Sequence, residues 1–529
     1  MRPQITARRV LNALLSRVKG FSISISPTTK QPGKSNIVSS YIPSAHPTRE
    51  DPEPLVRHAH INILPYELLT QVFLLALPED DITVIRPFTR YPQLTLSHVC
   101  SRWRHLIFSM ESLWKQFTMK DEEGSKVLGK RMLDRVMGRS RARAASLSGL
   151  TQFWFDRASS SAPTIILLGS ASLPAMPVVM KNLGRCDSLA LALALGEGST
   201  KDLLSLFSGD TSSLIFLSVT TRGHSRTIYK DIMDTPAFFS SPHWQNLRVL
   251  KWLCESLPFP LLDIPMPQLG VLQVSSTITL NKDLKLFLSR SPNLTRITFE
   301  DLQLSATTNS SVTPFVIPNL HTFHIHCMTG NDPLDALASF TLPSLTCLAL
   351  SSEATSLSRN YEALEAMVTR SSCHLEIFTA CDSSFPPTDF AGYLTLPCMK
   401  PVRKLHLTAP CIQDRTIELL RPIPSTIKGR ILLPNLKVLD LGKCSTTDGL
   451  LADVVASRRV LDAHAEVLYG GCDPPARLEE LHVAFKLQDI RQSMHMPHVA
   501  VERLSHIRDI MGFNSLFEGG LAISFSFRL

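Results

Sequence analysis

The chain has 529 residues, enough for two or three domains with a sizeable core. Hydrophobic residues at 44% and charged residues at 19% describe a globular protein and exclude a wholly disordered one. The net charge of +8 lies in residues 1–49, which hold eight bases and no acid, so the other 480 residues carry 46 of each sign and give the body no electrostatic footprint for nucleic acid.

Residues 1–56 are expected to be a disordered basic tail. Arg8, Arg9, Leu11, Leu14, Leu15, Arg17 and Val18 fit a basic amphipathic helix, and a Ser/Thr/Pro-rich run follows to Pro47. An acid-free, Arg- and Ser-rich segment is also the composition of a mitochondrial transit peptide, and that reading stands as the second one.

The stretch Leu64–Trp114 has the strongest pattern. Pro65 suits the first turn of a helix, where no backbone N–H is needed. Leu64, Leu68, Val72 and Ala76 then stack at i, i+4 spacing, with Leu69 and Phe73 widening the stripe. Pro78 stops the run. Leu96, Val99, Cys100, Trp103 and Ile107 share one face of a second helix. Ser109 is placed to cap a short third turn carrying Leu113 and Trp114 inward. Stripes this wide exceed what about 50 residues can bury among themselves, which implies a partner surface.

Leu64-Pro65, Glu67-Leu68, Val72-Phe73, Val99-Cys100, Trp103-Arg104 and Leu113-Trp114 stand in the order of the F-box pattern, and the stretch resembles that family. The interval Pro78–Gln93 is longer than a compact F-box needs, as in the F-box-like version common in fungal proteins. The resemblance implies a helical domain over 57–120 that docks on the Skp-type adaptor of a cullin-based SCF ubiquitin ligase. Its adaptor-binding residues would be Leu64, Pro65, Leu68, Leu69, Val72, Phe73, Leu96, Val99, Cys100, Trp103 and Trp114.

A basic linker helix is expected within 121–160, from Lys126 to Arg157, its charge marking a solvated face. Residues 158–180 lack charge but hold five Ser, three Pro and one Gly, so no spanning helix is expected there. Thr164–Leu168 reads as a buried strand.

Over 161–500 a turn followed by Leu-x-x-Leu-x-Leu recurs. Nine copies start at Leu247, Leu269, Leu294, Leu320, Leu345, Leu375, Val402, Leu436 and Leu478, and weaker ones at Cys186 and Leu214. Successive starts lie 22 to 42 residues apart. Pro292-Asn293, Pro318-Asn319 and Pro434-Asn435 precede three of the strands. This resembles a leucine-rich repeat in irregular form, since the spacing varies and the usual Asn after the strand is mostly missing. Helical patterns mark the returns at Glu362–Val368, Thr416–Leu420 and Leu450–Val460. Residues 501–529 are expected to form a C-terminal cap or tail. The expected fold class is α/β: a small N-terminal helical F-box followed by an irregular leucine-rich-repeat solenoid with a parallel sheet.

The 11 cysteines form no Cys-x-x-Cys pair, and Cys100, Cys327, Cys347 and Cys411 read as reduced core thiols. No glycine-rich phosphate loop, Gly-x-Ser-x-Gly or His-Glu-x-x-His occurs. His321, His324 and His326 cluster near one strand, and His495 and His498 lie near the end, without the closed set of three or four ligands a metal needs. No catalytic residue, cofactor or metal is expected. The function expected is the substrate-recognition subunit of an SCF-type ligase, cytoplasmic or nuclear, with no nucleic-acid or membrane partner. The rivals are a non-ligase interaction scaffold with an F-box-like hairpin and a hydrolase whose site the sequence hides. A protein substrate would meet the polar residues between the repeat leucines: Arg296, Thr298, Glu300, His324, His326, Lys404, His406 and Asp440, with Lys251, Gln273, Ser275, Thr322, Thr408, Glu480 and His482 beside them.

Overall fold

The computed structural model describes residues 64–76, 92–120, 148–158, 162–168, 175–194, 211–222, 244–254, 259, 266–280, 282–304, 314–327, 332–353, 359–382, 390–422, 431–459, 475–486, 507–518 and 521–528. The basic tail, the Pro78–Tyr91 part of the long interval, most of the basic linker, His495 and His498 lie outside these residues, as does the Cys411 side chain. The described residues fall into two compact units, one within 1–115 and 157–161, the other within 116–156 and 162–529.

The first unit is helical. Helix α1 is Tyr66–Ala76, α2 is Pro92–Ser97 and α3 is Ser101–Ser109, followed by a 3-10 turn at Glu111–Trp114. The expected single helix from Leu96 to Ile107 is broken. His98 and Val99 make a turn, and Cys100 caps α3 with its sulfur accepting the Trp103 N–H at 3.4 Å. Ser109 does not cap the last turn. Its hydroxyl donates back to the Leu106 carbonyl at 2.8 Å, and the residue at the cap is Met110, with no side-chain bond.

The second unit is built on a 14-stranded, wholly parallel sheet whose strands follow chain order. Its first strands are β1 (Gln116–Lys120), β2 (Thr164–Leu168), β3 (Ser188–Ala194), β4 (Phe216–Arg222) and β5 (Val249–Cys254). Next come β6 (Val271–Leu280) and β7 (Arg296–Leu304), then β9 (Thr322–Cys327) and β11 (Cys347–Ser352). The series closes with β12 (Ile377–Asp382), β13 (Lys404–Ile412), β14 (Val438–Cys444), β15 (Glu480–Lys486) and β16 (Ala522–Arg528). The two-residue strands β8 (Phe315–Val316) and β10 (Phe340–Thr341) pair separately.

The repeat positions explain the order. All three apolar positions of each copy are buried, as in Leu294, Ile297 and Phe299, or Leu436, Leu439 and Leu441. Equivalent positions lie side by side: Leu272 pairs with Ile297, Ile297 with Phe323, Phe323 with Leu348 and Leu348 with Phe378. Each copy therefore lays one more rung on a continuous apolar core. The backbone repeats as strictly. The residue after each first position donates to its counterpart one copy back, as from His321 to Thr295 at 2.9 Å and from Thr346 to His321 at 3.0 Å.

The turn asparagines have a role of their own. Asn293 donates to the Pro267 carbonyl at 2.7 Å, Asn319 to Pro292 at 3.0 Å and Asn435 to Lys400 at 3.0 Å. Each ties the start of a strand to the turn one copy back, satisfying a carbonyl that the ladder leaves over.

The returns include α4 (Tyr361–Ser371), α5 (Asp414–Glu418) and α6 (Leu450–Ser457), where helical patterns were expected. Helix α7 (Ile507–Glu518) packs against α6, and the two cap each other. The fully buried Asp509 accepts the Ala452 N–H at 2.8 Å. Asp448 accepts Arg508 N–H at 2.7 Å and Asp509 N–H at 3.1 Å. Gly449 makes the turn between these groups at φ +93°, a conformation that suits glycine.

The sheet extends past both expected borders of the repeat segment. Strand β1 lies in the stretch assigned to the helical domain, and β16 in the stretch assigned to a cap or tail. Neither was among the copies read from the spacing, although Trp114, Phe117 and Met119 stand at that spacing across the start of β1. No helix among the described residues is long and apolar enough to cross a membrane.

Candidate functional site

Helix α1 has two apolar faces. Leu69 and Phe73 are fully buried, and Phe73 meets Trp103 edge-on with ring centroids 4.9 Å apart. Leu96, Leu106, Ile107, Leu113 and Trp114 complete this small core. Polar groups lock it: Trp114 Nε1–H donates to the Ile107 carbonyl at 2.9 Å, and the buried Gln93 donates to the Leu113 carbonyl at 3.0 Å. Arg102 spans 38 residues to hold the start of α1. Its guanidinium donates to the Leu64 carbonyl at 2.8 Å and lies 4.8 Å from the centre of the Tyr66 ring.

The other face is bare. Leu68 is 52% exposed and Leu75 55%, with Val72 half-buried between them and Pro65 exposed one turn earlier. These positions, at i, i+3, i+7 and i+10, form one stripe. Val99, in the turn before α3, is 45% exposed, and Tyr66 47%.

The expected adaptor-binding set therefore divides. Pro65, Leu68 and Val99 are exposed, and Leu64, Val72 and Cys100 are half-buried. Leu69, Phe73, Leu96, Trp103 and Trp114 belong to the core beneath and present no surface of their own. A charge at Phe73 would dissolve this core rather than test the surface. Leu75 and Tyr66 are exposed beside this set and lie outside the residues expected from the sequence. The spacing from Leu68 to Leu75 was the available signal, hidden because the Leu64 register passes through Ala76 instead.

Residues 61–120 match the F-box-like family. The match covers the α1–α3 unit and the first strand of the sheet. An F-box-like domain is in general an adaptor-binding module of ubiquitin-ligase complexes. Its exposed stripe is the feature of this unit that calls for a partner, since a cluster of large apolar side chains in water marks an interaction site. No curated protein matches the chain.

In the sheet unit, the residues between the repeat leucines share one face and fall into lateral rows. Arg296 and Lys404 occupy one row, connected through Thr322, Cys347 and Ile377. Thr298 and His324 lie in the next row, which continues through Ala349 and Thr379 to His406, Asp440 and His482. His326 sits in a third row with Ser351, Cys381, Thr408 and Gly442. A Cβ on Gly442 would come within 2.7 Å of the Thr408 hydroxyl, so glycine lets the strands approach there.

Several of these side chains are engaged with one another. His406 Nδ1 lies 2.7 Å from Asp440 Oδ2, and its Nε2 lies 2.9 Å from the Thr408 hydroxyl. Glu300 accepts from Gln273 at 3.1 Å. Burial lowers the His324 pKa from its usual value, and the neighbouring Arg296 lowers it further; both favour the neutral imidazole.

The face is less uniformly polar than the sequence suggested. Phe216, Val249 and Val271 stand half-buried in the Arg296 row, and Lys251 lies 5.7 Å from the centre of the Phe216 ring. At Phe216, Val249 and Val271 the position before the second leucine is half-buried, which accommodates an apolar side chain. His321, by contrast, lies before its strand, with Nδ1 2.7 Å from the Asn319 carbonyl, and does not join His324 and His326.

Proposed function

We propose that this chain is the substrate-recognition subunit of an SCF-type E3 ubiquitin ligase. The observation that carries the reading is the bare stripe of Pro65, Leu68, Val72 and Leu75 on a domain of the F-box-like family. The stripe docks on the Skp-type adaptor, with Val99 and Tyr66 at its border, and the adaptor joins the chain to the cullin scaffold. The sheet unit, read as an irregular leucine-rich repeat, receives a protein substrate on the face that bears Arg296, Thr298, Glu300, His324, His326, Lys404, His406 and Asp440. The chain performs no chemistry of its own and needs no cofactor. It holds the target beside a ubiquitin-loaded enzyme and so raises the effective concentration of the reacting groups. Mixed charge on the receptor face suits a protein better than nucleic acid.

Co-purification of the full-length chain with the adaptor tests both halves. Leu68→Asp with Val99→Asp places two charges in the contact without touching the core, so adaptor recovery should fall at least about tenfold. Undiminished recovery overturns the ligase reading. Arg296→Glu, His324→Glu and Lys404→Glu together should leave adaptor recovery unchanged and remove the substrate from the captured proteins. Retention of every captured protein at wild-type level overturns the receptor role of the sheet face.

A further inference from the structure

The middle of the sheet face is shaped as a shallow trough. Strands β11 and β12 present mostly short side chains outward: Cys347, Ala349 and Ser351 on one, Thr379 and Cys381 on the other, with the larger Ile377 standing in the row between Cys347 and Lys404. Longer basic and imidazole side chains stand on the flanking strands: Arg296, His324 and His326 on β7 and β9, Lys404 and His406 on β13. Arg296 and Lys404 lie in the same row four strands apart, about 19 Å at the usual strand spacing.

The charged groups of this face differ in their partners. Asp440 is held by His406, Glu300 by Gln273, and Glu480 lies 3.5 Å from His482. Arg296 and Lys404 are exposed and form no ion pair among the described residues. Their fields meet over the floor. Burial pushes the Cys347 thiol up, and Arg296 and Lys404 each pull it back down from opposite sides.

We propose that this trough receives an extended protein segment lying across the strands, with an anionic side chain near each end, one meeting Arg296 and the other Lys404. The proposal rests on the sheet face being the substrate receptor. An extended segment spans ~19 Å in about six residues, so the two anions would stand about that far apart in sequence. The short side chains of β11, with Thr379 and Cys381 on β12, leave room for its backbone, Ile377 offers it an apolar contact, and the two rim cations fix its position by charge. A carboxylate and a phosphate present the same chemistry to Arg296 and Lys404.

The probes are fluorescein-labelled Gly/Ser peptides with two anionic residues about six positions apart. One set carries Asp, one phosphoserine and one the neutral Asn. Anisotropy with the full-length chain should give saturable binding of the Asp or the phosphoserine peptide, identifying which anion is taken, and at least about tenfold weaker binding of the Asn peptide. Arg296→Glu and Lys404→Glu should each weaken the anionic peptide by about tenfold, while Lys282→Glu, on a return helix, leaves it unchanged. Circular dichroism of each variant checks that the fold is kept. Binding of neither anionic peptide, equal binding of the Asn peptide, or indifference to both rim substitutions overturns the proposal. If peptides fail while the combined sheet-face variant still loses a captured protein, the receptor reading stands and the anionic preference falls.

Discussion

Leu68 and Leu69 are neighbours with opposite fates. One is 52% exposed and the other fully buried. A helix turns about 100° per residue, so adjacent leucines face different surroundings. Only the packing of Phe73 on Trp103 decides which face is core. The cysteines are also decided by surroundings. Cys327 is buried as expected, while Cys100 and Cys347 are half-buried. Burial raises the thiols of Cys186, Cys254 and Cys327 to about 12. Alkylation requires the thiolate, and on the order of one such thiol in ten thousand is ionised at pH 8. Native protein treated with iodoacetamide at pH 8 should therefore label negligibly at these three positions, and fully after unfolding in guanidinium. Rapid native labelling there, read by peptide mass spectrometry, would contradict the packing of the sheet core.

At the scale of the element, helix ends matter most where the repeat spacing grows. The longest interval, from Leu436 to Leu478, is the return that carries α6. Helix α6 has no side-chain cap on its own Ncap residue, Gly449. Its start is completed from α7 by Asp509, and the start of α7 from the loop by Asp448. Losing a cap of this kind costs about 1 kcal/mol. The cost at Asp509 should lie at the upper end, near 2 kcal/mol, because the freed Ala452 N–H stays buried. Asp509→Ala should thus lower the melting temperature and raise hydrogen exchange in α6 as well as α7. Exchange that rises in α7 alone would mean the two helices are not coupled. The expected helices at Glu362–Val368 and Thr416–Leu420 were legible from periodicity. This reciprocal capping was not, since the two aspartates lie about 60 residues apart.

Among the described residues, the strands of the parallel sheet follow one another without closing on themselves, each paired with the strands next to it in the series. Stability is then a sum of local terms along the stack. Leu348 on β11 is fully buried near the middle of the series, and Leu348→Ala should cost about 2–5 kcal/mol. Hydrogen exchange by mass spectrometry should show protection greatest in β7 to β13 and falling toward β1 and β16, with the substitution weakening β9, β11 and β12 first. Uniform weakening of all strands would show that the sheet opens as one cooperative body.

The sequence by itself determined which residues line the sheet core. In a strand the side-chain period is two, so the last two apolar positions of Leu-x-x-Leu-x-Leu share one face, while the first lies in the turn that precedes the strand. That is why the sheet interior and the rows of Arg296 and His324 could be read without a structure. It also determined the F-box-like pattern, because those residues recur in a fixed order. Tertiary structure alone decided the rest. It turned Leu69 and Phe73 inward and left Leu68 and Leu75 bare. It broke the helix at Val99, and it recruited β1 and β16 as edges. Each of those outcomes depends on which neighbour an apolar side chain meets, and a one-dimensional pattern does not contain its neighbours.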